Sequence, residues 1–201
     1  MYKTNKLGML PRIIKREYDD RVIYKKKMLE AEQMYANTKD KKYEKLARKY
    51  YLIQHSKKIS LNSAYGAIGN KYFRYYDHRQ AEAITTSGQL NIRWIDKKVN
   101  EYFNKLYKTD NKDYVIASDT DSIYVNMAPL VKLTGATDKT KIVKALDQFC
   151  VEKFEPYIEK CYNELGSYMN VYENKMVMKR EVIADKGIWT AKKRYILNVH
   201  N

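Results

Sequence analysis

The sequence predicts an α+β protein in which helices cover one face of an antiparallel sheet. Long runs of helix-forming residues without proline dominate the first half of the chain, and β-rich runs beside turn residues appear in the second half. The predicted order is helical hairpin, helix, β-hairpin, helix, β-hairpin. With 201 residues, 44% of them hydrophobic, the chain can bury a core in one domain or two small ones.

Three helices are predicted before the first strand. The first covers about residues 12–36, with Pro11 where a first-turn proline is favoured, and the second covers about residues 41–65. Turn residues between them indicate an αα-hairpin. The third helix covers about residues 80–107, where apolar residues recur at helical spacing: Ile84, Ile92, Ile95, Val99 and Phe103. We expect the hairpin to form a protruding lobe, residues 1–69, and the remainder, residues 70–201, to form a second domain.

The second half of the chain contains two predicted β-hairpins separated by a helix. Residues 114–117 and 123–125 are β-rich runs around a polar centre, which indicates the first hairpin. A helix over about residues 139–165, bent at Pro156, follows. The second hairpin is predicted from strands at residues 176–183 and 188–199, joined by Ala184-Asp185-Lys186-Gly187, which has turn chemistry.

The composition indicates a polyanionic partner. Lys and Arg number 39 against 24 Asp and Glu, a formal charge of +15, so nucleic acid is the first candidate and a solvated basic surface is the alternative. Cys150 and Cys161 suggest neither a zinc site nor a disulfide framework. Without a spanning apolar stretch of about 20 residues or a signal-peptide region, the chain is expected to be soluble, cytoplasmic and free of membrane contacts.

Two carboxylates lie at the tip of the first predicted β-hairpin. In the segment YVIASDTDSIYV, strand alternation is expected to turn Asp119 and Asp121 toward the same side. Like charges so close repel unless a cation lies between them, and hard oxygen ligands suit Mg²⁺. The alternative is an ordinary polar turn, since Asp, Thr and Ser are common turn residues.

Cations and an aromatic ring mark one stripe of the helical hairpin. Lys58, Asn62 and Tyr65 are spaced i, i+4 and i+7 on the second helix, a mixture that suits a nucleotide better than a core. Arg21 and Lys25 lie one turn apart on the first helix. A turn near residue 38 or 39 puts residue 21 level with about residue 56, so the cations fall within about two helical turns and can bind one triphosphate. A solvated charged face is the alternative.

The last predicted strand contains a basic cluster in the segment WTAKKRYIL. By strand alternation, Lys193 and Tyr195 face one side while Lys192 and Arg194 face the other. Such a cluster would bind nucleic-acid phosphates with little sequence preference, and ordinary surface charge is the alternative.

Together these segments resemble family B DNA polymerases of the T4-like phage branch. Asp119-Thr120-Asp121-Ser122 resembles motif C, KKISLNSAYG resembles motif B (K-x₃-N-S-x-Y-G), and KKRY resembles the element that binds the primer-template duplex. LPRIIKREYDDRVIYKKKM is similar to the first helix of the fingers, and NKYFRYYDHRQAEAITTSGQ completes the likeness. The resemblance implies fingers and a partial palm that synthesise DNA from dNTPs on a primer-template.

The resemblance also implies a role for each matching residue. Asp121 is a ligand of two catalytic Mg²⁺ ions, and Asp119 is its acidic neighbour. The residues implied at the incoming dNTP are Arg21, Lys25, Lys58, Asn62 and Tyr65, the last near the nascent base pair. The residues implied at the DNA are Lys192, Lys193, Arg194 and Tyr195, with Gly66 allowing close backbone approach. Glu181 matches an accessory acidic residue, although Lys179 stands where a T4-like relative carries an acid.

One expected motif is absent from the sequence. Family B polymerases take another metal-binding aspartate from motif A, D-x₂-S-L-Y-P, which does not occur here. We therefore expect a second polypeptide, or further regions of a longer chain, to supply motif A, the exonuclease and the thumb. The rival interpretation is a noncatalytic basic nucleic-acid-binding module. A reverse transcriptase or RNA-synthesising palm is disfavoured by the combination of motifs B and C.

Overall fold

A computed structural model describes residues 5–135, 137–191 and 193–200 and confirms the α+β class. The elements in chain order are helices α1 (Met9–Thr38), α2 (Lys41–Ile68) and α3 (His78–Tyr107), strands β1 (Val115–Asp119) and β2 (Ser122–Val125), helices α4 (Ala128–Thr134) and α5 (Lys139–Phe149), a π-helical turn (Cys150–Phe154), helix α6 (Glu155–Tyr168), and strands β3 (Ala184–Ala191) and β4 (Arg194–Val199). Each antiparallel sheet has two strands, β1 with β2 and β3 with β4. No helix in the described residues is long and apolar enough to cross a membrane.

The chain divides into two compact units between Thr85 and Thr86, within α3. The predicted assignment of fingers to residues 1–69 and palm to residues 70–201 stays a prediction. In the first unit, α1 and α2 form the predicted antiparallel hairpin. Lys39 ends α1 with φ 57°, and the Asp40 carboxylate begins α2 by accepting from the Lys42 amide at 2.9 Å.

A partly buried ion pair fixes how the two hairpin helices align. Lys57 Nζ, whose side chain is 19% exposed, donates to Asp20 at 2.8 Å and to Glu17 at 3.2 Å. The hydrogen bond between them lowers the pKa of Asp20 and raises that of Lys57. The contact between residues 20 and 57 has the same register as the prediction that residue 21 lies level with about residue 56, which is therefore confirmed.

The core of the second unit forms between α3, the start of β1 and the α5–α6 segment. Ile95, Val99 and Phe103, which were predicted to share one helix face, are fully buried. Their buried partners are Tyr114, Cys150, Phe154, Ile158, Cys161 and Tyr162. Two hydrogen bonds also join α3 to α6: Trp94 Nε1 donates to the Cys161 carbonyl and the Tyr157 hydroxyl donates to the Lys98 carbonyl, each at 3.0 Å.

The helix predicted over residues 139–165 is divided by the π-helical turn. The Glu155 amide donates to the Cys150 carbonyl, five residues back, immediately before Pro156. Because Pro156 has no N–H, it could not continue the α-helical ladder, and it lies in the first turn of α6, where no donor is needed. The irregularity therefore precedes the proline. Helix α4 was not predicted.

The predicted boundaries of the second hairpin are wrong. Residues 176–183 are not a strand, residues 184–187 belong to β3, and the turn before β4 contains Lys193. Gly187 is opposite Leu197 and lies under the Trp189 ring, where an added Cβ would come within 2.6 Å of that ring. This glycine allows close packing within a strand and does not form a turn.

The predicted strand alternation of the basic cluster is also wrong, because part of the cluster lies in the turn. Lys193 lies in the turn with φ 62°, so strand geometry does not relate its side chain to that of Tyr195. Arg194 begins β4 opposite Ala191. Lys192 lies outside the described residues.

Candidate active site

The two predicted metal-binding aspartates lie at the tip of the β1–β2 hairpin. Asp119 ends β1 opposite Ser122, and Thr120 and Asp121 form the two-residue turn. Asp119 is half-buried and Asp121 is exposed. The structure therefore brings both residues to one tip. Asp121 is not a strand residue, so the prediction that strand alternation sets the orientation of its side chain is wrong.

Side-chain hydrogen bonds hold this turn in an uncommon conformation. Thr120 has φ 51°, in the left-handed region, where a β-branched residue is an outlier that costs on the order of 1–3 kcal/mol. Its hydroxyl donates to Asp119 Oδ1 at 3.0 Å, and the Ser122 hydroxyl donates to the Asp119 carbonyl at 3.1 Å. The hydroxyl residues of the motif thus help to fix the backbone between the two carboxylates.

The base of the hairpin is anchored by Asn100 of α3. Asn100 Oδ1 accepts from the backbone amides of Tyr114 at 2.7 Å and Val115 at 3.1 Å. Ile123 and Val125 pack against the core on the β2 side. Asn100 was not among the residues predicted from the sequence. The one signal available there was a polar residue directly after Val99, within the stretch of α3 whose apolar residues were predicted to be buried.

We expect Asn100→Ala to weaken the base of the hairpin by about 2 kcal/mol, because two partly buried amides lose their acceptor. Hydrogen exchange at the Tyr114 and Val115 amides should then become about 30-fold faster. The matched control is Lys97→Ala on the same helix, whose side chain is 74% exposed and which should change exchange little. Equal exchange rates in both variants would contradict the anchoring role.

A buried tyrosine lies close to the hairpin tip. Tyr162 of α6 is 3% exposed, and burial raises the pKa of its hydroxyl to about 12, with the negative charge of Asp121 acting in the same direction. This hydroxyl therefore stays protonated at neutral pH and adds no negative charge beside Asp121.

The donor set at the tip fits part of a magnesium site. Mg²⁺ in phosphoryl-transfer sites is held by one or two carboxylates together with waters and substrate phosphates, and Asp119 and Asp121 supply two carboxylates. Within the described ranges, no group of three or more His, Cys, Asp or Glu side chains could hold a metal ion. Further ligands would have to come from substrate, water or groups outside the described residues.

The residues predicted to bind the triphosphate lie on the helical hairpin. Lys58, Asn62 and Tyr65 are all exposed on α2, and Lys25 is exposed on α1. Arg21 is half-buried, and its Nε atom has no hydrogen-bond partner in the described part of the chain.

The ion pair that aligns the hairpin also sets which parts of the two helices lie side by side. The Asp20–Lys57 contact brings the chain at Arg21 beside the chain at Lys58. The carboxylates of Glu17 and Asp20 bind Lys57, which is not one of the predicted nucleotide-binding residues. At Gly66 an added Cβ would meet nothing within 4 Å, so the packing of the described residues does not itself require glycine there.

Among the predicted duplex-binding residues that the structure describes, Lys193 lies in the turn between β3 and β4, and Arg194 and Tyr195 are the first two residues of β4. Lys193 and Arg194 are exposed, and Tyr195 pairs with Trp189 across the strands and is 44% exposed. The Tyr195 ring also contacts Tyr124 of β2, with 5.4 Å between ring centroids. The structure thus brings Tyr195 to the hairpin that carries the aspartates.

Glu181, predicted as an accessory acid, is exposed and lies in the extended segment before β3. The neighbouring Arg180 ties this segment to the helices: its guanidinium contacts Asp147 at 2.6 Å and its amide donates to Glu155 at 3.0 Å. Lys179 is also exposed. The structure places Glu181 on the surface beside an anchored residue, and its accessory role stays a prediction.

Comparison with known proteins shows the class of this chain. The family model for DNA polymerase family B matches residues 1–200, and the chain belongs to that family. It is 45% identical over 159 residues to the DNA-directed DNA polymerase of Enterobacteria phage T4, an alignment that covers 74% of this chain and 18% of that polymerase. It is also 45% identical over 157 residues to that of Escherichia phage RB69, covering 73% of this chain and 17% of the relative. The chain thus spans less than a fifth of either phage polymerase, and the predicted T4-like resemblance is confirmed.

Proposed function

We propose that this chain contributes to template-directed DNA synthesis, in which a dNTP is joined to the 3′-hydroxyl of a primer and pyrophosphate leaves. The observation that carries the proposal is the anchored β1–β2 hairpin, which presents Asp119 and Asp121 at its tip in a member of DNA polymerase family B. The polymerases of phages T4 and RB69 support the choice of reaction by their names.

The proposed nucleotide-binding residues lie on the first unit. Arg21, Lys25 and Lys58 supply positive charge for the triphosphate, and Asn62 supplies hydrogen bonds to its phosphates or sugar. The exposed ring of Tyr65 lies near the nascent base pair, and Gly66 leaves room for a DNA backbone. Each of these roles follows from the match to motif B or to the first fingers helix.

The proposed metal-binding residues are Asp121 and Asp119. Two Mg²⁺ ions, when bound at the complete site, would activate the primer hydroxyl and neutralise charge on the transferring phosphate and the leaving pyrophosphate. The chain's own contribution is a turn in which Thr120 and Ser122 bond to Asp119 and help to fix the backbone that carries the two carboxylates.

The proposed duplex-binding residues are Lys193, Arg194 and Tyr195, with Lys192 completing the motif. Contacts to the DNA backbone from these residues would give affinity that falls with salt and depends little on sequence. The net charge of +15 favours the same partner. By analogy with the two phage polymerases, the site of action would be the cytoplasm of an infected host.

The chain alone is proposed to be inactive in synthesis. Two observations support this. The hairpin tip offers two carboxylates, and no group of three or more metal-binding side chains occurs among the described residues. Strands β1 and β2 pair only with each other within the described ranges, so the sheet of the candidate site has two strands there. We expect no primer extension by the purified 201-residue chain with Mg²⁺ and dNTPs, and extension after addition of a polypeptide that carries D-x₂-S-L-Y-P. Primer extension by the chain alone would overturn the proposal that a second polypeptide must supply part of the active site.

The alternative is a noncatalytic basic nucleic-acid-binding module, which the charge of +15 favours. The two proposals differ in dNTP binding. A polymerase part should bind dNTPs in a Mg²⁺-dependent manner, measured by titration calorimetry, whereas a pure binding module should bind DNA and show no such dependence.

A further inference from the structure

Three aromatic side chains join the β1–β2 hairpin to the β3–β4 hairpin within the second unit. Tyr124 of β2 contacts Trp189 of β3 and Tyr195 of β4, with ring centroids 5.3 and 5.4 Å apart and the rings at 76° and 65°. Trp189 and Tyr195 lie 6.4 Å apart. Edge-to-face pairs of this kind stabilise beyond their buried area and favour a defined ring orientation.

The Tyr124 hydroxyl also lies close to that of Tyr195. Interaction with the Tyr195 hydroxyl, together with burial, raises the pKa of Tyr124 to about 12. The Ser122 hydroxyl also interacts with Tyr124. Tyr124 therefore joins a residue of the aspartate motif to a residue of the KKRY motif.

Tyr124 lies on the carboxylate side of its hairpin. Asp119 pairs with Ser122 and Ala117 pairs with Tyr124, so these four residues share one face of the two-stranded sheet. Ile123 and Val125 share the opposite face and pack against the core. The negative charge of Asp119 contributes to the raised pKa of Tyr124, in agreement with this placement.

The β3–β4 hairpin has little other burial near its turn. Its residues are exposed apart from Leu197 among those the structure describes, and the far end is tied through Asp185 to Lys139 of α5 at 3.0 Å. Tyr124 contacts the opposite end, beside the turn that carries Lys193. Loss of this contact would leave the basic turn free to move relative to the aspartates.

We propose that Tyr124 is a positioning residue that sets where the bound primer-template duplex lies relative to Asp119 and Asp121. The inference rests on the proposed function, because it assigns duplex binding to the β3–β4 turn and metal binding to the β1–β2 tip. A reacting group misplaced by about 1 Å can lower a rate about 10²-fold, so a rigid link between these two hairpins is of direct use to the reaction.

The test measures the position of the hairpin tip on bound DNA. Ser118→Cys, an exposed position one residue before Asp119, is labelled with an iron chelate in the full 201-residue chain, and hydroxyl radicals then cut a primer-template labelled at the primer 5′ end. Cys150 and Cys161 should react poorly with the reagent because they are buried and burial raises the pKa of each thiol. The labelled parent should cut a small group of adjacent nucleotides.

The decisive variants change Tyr124 in the labelled parent. Tyr124→Leu should keep duplex affinity within about threefold, because the basic turn is intact, yet move the cleavage by one nucleotide or more or spread it. Tyr124→Phe keeps the ring and loses only the hydroxyl beside Tyr195, so its pattern should be intermediate. Tyr168→Leu is the matched control, since Tyr168 is 86% exposed at the end of α6 and should give the parent pattern.

The outcomes separate this inference from the proposed function. A parent that binds no duplex would overturn the proposed function and the inference together. Parent-like cleavage by folded Tyr124→Leu would overturn the inference alone. If circular dichroism shows that Tyr124→Leu does not fold, parent-like cleavage by Tyr124→Phe would overturn it instead.

Tryptophan fluorescence gives a second measurement of the contact between the hairpins. In a Trp94→Phe background, Trp189 is the remaining tryptophan, and its quenching by acrylamide should increase when Tyr124 is replaced by Leu. Unchanged quenching would contradict the proposed role of Tyr124 in holding the β3–β4 hairpin against the β1–β2 hairpin.

Discussion

Asp121→Ala in the complete enzyme is expected to reduce primer extension by at least about 10³-fold while duplex affinity stays within about twofold. The substitution removes one of the two carboxylates proposed to hold Mg²⁺, and metal stabilisation of a transferring phosphate is worth several kcal/mol. Duplex binding should survive because the β3–β4 turn with Lys193 and Arg194 is unchanged. The measurement is single-turnover extension by the chain combined with a motif A polypeptide, beside a gel-shift titration of the same primer-template.

Asp110→Ala is the matched control for this prediction. Asp110 is exposed in the loop before β1 and loses the same negative charge, so it reports the general electrostatic effect of the change. Extension should then stay within about threefold of the parent, since salt screens the charge of an exposed side chain that does not bind the metal. Retained extension in Asp121→Ala would remove Asp121 from the metal site, and equal losses in both variants would show that net charge is responsible.

The parts of the fold that were predicted well depend on local rules. Helical propensity and the turn at residues 37–40 were enough to predict the α1–α2 hairpin, and antiparallel geometry then gave its register. The Asp20–Lys57 ion pair lies where that register requires. Apolar spacing likewise identified the buried face of α3, although Ile84, included in the same pattern, is 50% exposed.

The errors arose where contacts distant in sequence decide the structure. Gly187 looked like a turn residue, but it is required because the Trp189 ring and Leu197 lie over it. Asn100 bonds to amides fourteen and fifteen residues away, a pairing that spacing within α3 cannot reveal. The contact of Tyr124 with Tyr195 joins residues 71 positions apart. Motif matches were enough to predict both hairpins of the candidate site, but the Tyr124 contact between them could be seen only in the tertiary structure.

Lys58→Ala is expected to weaken dNTP binding about 10- to 100-fold. Hydrogen bonds to a charged group contribute about 1.5–3 kcal/mol, and Lys58 is an exposed cation on α2 that the structure places beside the stretch of α1 containing Arg21. The change should appear as a higher KM for dNTP in the complete enzyme and as weaker Mg²⁺-dependent dNTP binding by the 201-residue chain. Lys58→Arg should lose less, because it keeps the charge.

Lys49→Ala separates a specific phosphate contact from a general loss of positive charge. Lys49 lies nine residues before Lys58 on the same helix, a rotation that puts it about 180° away on the opposite side. Both side chains are exposed and each substitution removes one positive charge. If Lys58 binds the triphosphate directly, Lys49→Ala should leave dNTP affinity within about twofold. Equal losses in the two variants would mean that the charge of the helical hairpin as a whole attracts the nucleotide, and that Lys58 has no special place in its binding.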